Sequence, residues 1–113
     1  MDIRSLAQKV NLDDVDSQLG DEYWSPIDVI YINDWVLRAA AIKGEYHWHT
    51  HKDDEFFMVY RGEITIETEK GLVELKEGEC ALVPKGMQHK PRSNERAVIL
   101  MLEPQRLKSR GDE

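Results

Sequence analysis

Three of the chain's four histidines stand at every second position, His47, His49 and His51, and Glu55 follows four residues after the last. Alternate side chains of a β-strand share one face, roughly 6.6–6.8 Å apart. His49 and His51 can therefore aim their imidazoles at one ion, about 2.0–2.2 Å from each ligating nitrogen. On a helix the same spacing would turn the two rings to opposite sides. His51 and Glu55 would share a helical face, but Thr50, Lys52, Asp53 and Asp54 give that helix no apolar stripe. The Lys52-Asp53-Asp54 turn instead lets the chain reverse, so that Glu55 opens the next strand beside the histidine pair. A fourth ligand has to come from a strand remote in sequence, and His89 is the histidine left. Three imidazoles and one carboxylate with open positions suit Fe(II), Mn(II), Ni(II) or Zn(II). Such an ion would polarise a carbonyl or hydroxyl, or present an activated water.

The elements that must carry these side chains read mostly as strands. From Ile27 onward, β-branched and aromatic residues come in short runs between turn signals. "IDVIYI" meets "WVLRAAAI" across Asn33-Asp34, a two-residue hairpin turn. "YHWHTH" then predicts a strand ending at Lys52, and "EFFMVY" one ending at Arg61-Gly62. "EITIETE", "LVEL" and "ECALV" follow, with "HKPRS" and "AVILML" as the last two candidates. Seven to nine strands with glycine-containing turns predict an all-β barrel or sandwich. Over residues 1–20, Ile3, Leu6 and Val10 have helical spacing and the Asp-rich stretch that follows breaks the pattern, which predicts a short helix or irregular arm there. The expected organisation is an N-terminal arm over 1–26, a barrel over 27–103 and a charged, frayed tail over 104–113. "FFMVY" and "AVILML" do not alternate with polar residues, so both faces of those strands should be covered. The expected cover is either the N-terminal arm or a second copy of the chain in a homodimer.

Composition narrows the partners. With 113 residues the chain suits one compact domain. A net charge of −7 disfavours nucleic acid and anionic membranes. No apolar run approaches a membrane span, and the N-terminus lacks a signal-peptide core, so a cytoplasmic protein is expected. The single cysteine, Cys80, fits a reducing compartment, and its place among apolar residues predicts a buried structural thiol.

These residues resemble the cupin superfamily. Its first motif runs Gly, five residues, His-x-His, three or four residues, Glu, six residues, Gly; here Gly44, His49, His51, Glu55 and Gly62 fall on it, with four residues rather than five after Gly44. Its second motif runs Gly, five residues, Pro-x-Gly, two residues, His, three residues, Asn. Gly78, Pro84, Gly86 and His89 match, while Ser93 takes the motif's last position and Asn94 sits one place late. The resemblance implies a double-stranded β-helix, a jelly-roll-like barrel, holding one divalent metal through His49, His51, Glu55 and His89. It also implies a choice between two function classes. One is an enzyme on a small polar molecule such as a sugar or organic acid, of isomerase, dioxygenase or lyase type; small single-domain cupins are often labelled similar to mannose-6-phosphate isomerases. The other is a non-catalytic module that binds or senses a small molecule over the same metal. His47 has the parity to face inward and is the candidate catalytic residue for proton transfer, since histidine changes charge near neutral pH. Tyr46 and Trp48 are expected outside the barrel, Met87 and Gln88 at its mouth, and Asp53 and Asp54 in a solvated turn.

Overall fold

The computed structural model describes residues 7–107. One helix, α1 (Leu12–Leu19), precedes seven strands: β1 (Ile27–Ile32), β2 (Trp35–Glu45), β3 (Glu55–Arg61), β4 (Glu63–Thr68), β5 (Gly71–Lys76), β6 (Cys80–Val83) and β7 (His89–Pro104). All pairings are antiparallel, in the order β1-β2-β7-β3-β6, with β4 joining β5 to β7. The Asn33-Asp34 turn closes the first hairpin, with Ile32 opposite Trp35. The two last candidate strands are one: β7 runs unbroken for 16 residues through the polar "NER" that separates them in sequence.

Strand alternation sorts the apolar residues into two layers. Ala40 and Ile42 of β2, Phe57 and Val59 of β3, and Ala97, Ile99 and Met101 of β7 point into the main core with Ile64, Ile66 and Leu75. The intervening Ala39, Ala41, Val98 and Leu100 point the other way, and Val15 and Leu19 of α1 pack on them. Both faces of "AVILML" are thus covered within one chain, the outer by the N-terminal arm.

The short helix expected within residues 1–20 is present, and the Asp-rich stretch that breaks the apolar pattern forms its first turns. Asn11 caps it, its side chain accepting from the N–H groups of Asp13 and Asp14, and those two acids occupy the first turn. Carboxylates there meet the positive end of the helix dipole, so the acids begin the helix rather than end it. Of the three residues with helical spacing, Val10 precedes α1 and is exposed, while Ile3 and Leu6 lie outside the described residues. Arg96 fastens the far end of α1 to β7 through the carbonyls of Gly20 and Asp16.

Three further expectations change. Residues 46–54 form no regular strand: His49 alone pairs, in an isolated bridge with His89. Cys80 is exposed, because it points outward from the edge strand β6, like Leu82 two residues on. Residues 104–107 are held rather than frayed, with Leu107 buried and its carbonyl accepting from Arg38. Gly62 explains itself at φ +82°, where a Cβ would lie 3.0 Å from the Arg96 carbonyl oxygen and 3.1 Å from the Ala97 Cβ.

Candidate metal centre

The irregular segment 46–54 is fixed to the rest by backbone bonds at its histidines. His49 N–H donates to the His89 carbonyl and His89 N–H to the His49 carbonyl, both at 3.0 Å. The Gly86 N–H donates to the His51 carbonyl at 2.9 Å, and the Lys85 N–H to the Asp54 carboxylate at 2.9 Å. The two turns therefore lock together, which brings His89 beside His49 and His51 although it lies 38 positions after the second. Asp54 is a brace between the turns, and Asp53 holds Arg106 at 2.8 Å; neither is a merely solvated turn residue. Ser93, at the motif's last position, is buried and its hydroxyl donates to the Glu63 carbonyl, while Asn94 is exposed.

His49, His51, Glu55 and His89 are all buried, and one ligand atom from each lies within 4.8 Å of all the others. Glu55 Oε1 is 3.2 Å from His51 Nε2 and 3.5 Å from His89 Nε2. The Nδ1 atoms of His49 and His89 lie 3.0 and 2.9 Å from the carbonyl oxygens of His47 and Met87. A carbonyl can only accept, so the ring proton sits on Nδ1 in each case and the lone pair is presented at Nε2. Glu55 Oε1 and His89 Nε2 are buried without a well-formed hydrogen bond. Inward lone pairs, a carboxylate and orphaned buried atoms are what a bound cation would satisfy, and the donor set fits a divalent ion.

Electrostatics prepare the ligands. Burial pushes the His49 imidazole down from 6.5 to about 4, so it is neutral and able to ligate at neutral pH. Burial alone would raise the Glu55 carboxyl, but its polar contacts with His51, His89 and Glu103 outweigh that and hold the group well below the usual carboxylate range. Both folded values lie under their ordinary ones, so the unfolded chain takes up protons first as pH falls. Stability of the metal-free protein is therefore complete above pH 6.5 and is lost between 6.5 and about 4 through His49, with Glu55 adding the same sign further down. Urea unfolding of metal-free protein should show a loss of about 2 kcal/mol between pH 7.5 and pH 5. A midpoint that does not move would contradict the buried, neutral His49.

A cavity of about 370 Å³ opens onto this cluster, reaching His49 and Glu55. Trp24 and Tyr46 form one wall, stacked with centroids 4.8 Å apart, and Tyr46 meets the His49 ring edge-on at 5.3 Å. Tyr46 is thus a cavity residue rather than an outer one, whereas Trp48 is exposed as expected, with Lys90 over its ring. Met87 packs against the main core, and Gln88 is exposed. His47 does not face inward as its parity predicts, because the segment is not a regular strand: its side chain is exposed, its ring 4.0 Å from Tyr46 and 5.4 Å from His49. Arg38 also lines the cavity, joined to Glu103, which in turn contacts Glu55. It donates to Asp28, to Glu103 and to the carbonyls of Gln105 and Leu107. Sequence reasoning missed Trp24, Glu103 and Asp28. Trp24 belongs to the arm and signals nothing by spacing, and Glu103 sits where the sequence reads as the end of the barrel.

Known proteins share this architecture. The cupin domain family matches residues 34–103. The uncharacterized protein YdbB of Bacillus subtilis strain 168 is 43% identical over 74 residues, which are 64% of this chain and 66%, just under two thirds, of that protein. A cupin-2 domain containing protein from Shewanella frigidimarina NCIMB 400 is 34% identical, with a TM-score of 0.81 over 85% of this chain and 94% of that one. A hydroquinone 1,2-dioxygenase, PnpCD, in complex with Cd2+ and 4-hydroxybenzonitrile, shares the fold at 21% identity, with a TM-score of 0.76 over 91% of this chain and 75% of that one. Among the described residues no helix is long and apolar enough to cross a membrane. With its all-β barrel, both sequence motifs and a buried three-histidine, one-glutamate cluster, the chain belongs to the cupin domain family.

Proposed function

We propose that this cupin holds one divalent metal through His49, His51, Glu55 and His89 and acts on a small molecule in the adjoining cavity. The observation that carries this reading is the burial of four convergent ligand atoms at the end of a cavity large enough for a small ligand. A bound Fe, Mn, Ni or Zn ion would supply Lewis acidity, and for iron also redox chemistry. The chain's own part is to orient and exclude. The His47 and Met87 carbonyls fix two imidazoles, and the Trp24–Tyr46 wall keeps water from one side of the cavity. A metal-dependent isomerase, dioxygenase or lyase is the reading we favour over a non-catalytic binding module with the same site, in the reducing cytoplasm that a lone free cysteine suits. The hydroquinone 1,2-dioxygenase with Cd2+ and 4-hydroxybenzonitrile supports only that this fold can seat a metal and a small ligand together.

We assign proton transfer to His47, whose ring lies 4.0 Å from that of Tyr46 and 5.4 Å from that of His49. Elemental analysis and turnover of His47→Ala separate its roles. Unchanged metal with turnover lowered about 10²–10⁴-fold is the expected result; loss of metal would move His47 into the ligand set. We also propose a homodimer, with Tyr31, Ile32 and Trp35 at its contact, since all three are exposed on the hairpin of edge strand β1. Light scattering should give twice the chain mass, and Trp35→Glu should halve it; a monomeric parent would end that part of the reading.

A further inference from the structure

The cavity walls are selective in a way the metal cluster is not. Trp24 sits at φ +61°, a left-handed conformation that bulky residues rarely adopt and that tends to mark functional positions. Two bonds hold it there: its backbone N–H donates to the Ala41 carbonyl at 2.9 Å, and its indole Nε1–H donates to the Lys43 carbonyl at 3.0 Å. The polar edge of the indole is therefore satisfied by β2, and the ring offers carbon to the cavity. Stacked Tyr46 continues that surface to the edge of His49, so one aromatic wall runs up to a candidate metal ligand. The facing wall is apolar, formed by Ile42, Phe57, Ile99 and Met101.

Polar groups are few and already committed. Arg38 is the one cationic side chain lining the cavity among the described residues, and two carboxylates and two carbonyls engage its guanidinium. A phosphate would have to displace Asp28 or Glu103 and would sit in a cavity that already holds Asp28 and Glu55. A sugar would bury several hydroxyls against walls that, the Tyr46 hydroxyl apart, are mostly apolar, which is costly. A flat apolar ring suits both walls, and a single hydroxyl has somewhere to go at the His49–Glu55 end.

We infer that the cavity selects a neutral aromatic ring bearing a hydroxyl, with the ring against Trp24 and Tyr46 and the hydroxyl toward His49 and Glu55. This names the substrate class for the metal site proposed above and rests on that reading for what meets the hydroxyl. Calorimetric titration tests it with three probes, 4-methylphenol, 4-methylcyclohexanol and mannose 6-phosphate, each on Zn(II)-loaded and metal-free protein. The loaded protein should bind 4-methylphenol about tenfold more tightly than 4-methylcyclohexanol, and the sugar phosphate should give no binding heat. Trp24→Leu and Tyr46→Leu keep apolar bulk and remove the aromatic face. Each should weaken 4-methylphenol about 2- to 10-fold with metal content unchanged. Equal affinity for the two ring alcohols, tighter binding of the sugar phosphate, or both leucine variants binding like the parent would overturn the inference. Failure to take up zinc sinks the metal reading separately, and the same comparison on the metal-free protein then decides the ring preference.

Discussion

The parent protein, expressed without a metal-binding tag, is expected to carry about one equivalent of divalent ion, and a His49→Ala/His89→Ala variant essentially none. The size of the effect follows from what is removed. Loss of a group that merely orients a ligand costs about 10–100-fold in metal affinity. Deleting two ligands that lie side by side, with ring centroids 4.2 Å apart and a mutual backbone bridge, must cost more. The backbone bridge does not depend on the imidazoles, so the variant should still fold. A second readout is linkage. An ion at a hundred times its dissociation constant stabilises the folded state by about 2.7 kcal/mol, seen as a rise in Tm for the parent and none for the variant. A parent that holds no metal after anaerobic reconstitution with Fe(II), Mn(II), Ni(II) and Zn(II) would leave a barrel with a polar, metal-free interior.

Arg38→Leu should destabilise the fold by about 3–5 kcal/mol. Its guanidinium is mostly buried and meets Glu103, whose side chain is wholly buried, at 2.8 Å. It also ties down the carbonyls of Gln105 and Leu107, and so the segment after β7. Removing the cation alone leaves the Glu103 carboxyl in the interior without its partner, beside Glu55. The Arg38→Leu/Glu103→Met double variant removes both charges and should recover most of the loss, since an apolar pair of similar volume can match a buried ion pair. Urea unfolding of the parent, both single variants and the double variant gives the coupling directly. Additive losses would mean that Arg38 acts mainly through the carbonyls rather than through the carboxylate.

The candidate metal cluster was legible in sequence because two motifs fix its residues by spacing, and spacing survives local irregularity. The path of the chain between the ligands was less so. Residues 46–54 alternate like a strand, yet His49 and His51 make backbone bonds to His89 and Gly86, and the Asp54 carboxylate accepts from the Lys85 N–H. That tertiary pairing overrides the local pattern and also explains why His47 keeps strand parity without facing inward. The short helix falls within residues 1–20 as expected, but what starts it was not legible: its acids read as a break in apolar periodicity, whereas their position after Asn11 makes them a favourable first turn. Cys80 looked buried because its neighbours are apolar, but an outward position on an edge strand exposes it. Trp24 and Glu103 could not be found by spacing at all, since each acts through a partner far along the chain.

The long last strand has a consequence for how the molecule is made. Among the described residues β2, β3 and β4 each pair with β7, and no two of these three pair with one another. The β1–β2 and β4–β5 hairpins can close locally, but their relative positions are undefined until β7 is laid between them. Pairings this distant in sequence carry a large closure entropy and make folding slow. The first residue of β7 is His89, and Glu103 stands one place before its end. The event that completes the barrel is therefore the same one that assembles the candidate metal cluster, so a half-folded chain holds at most the His49–Glu55 fragment of it.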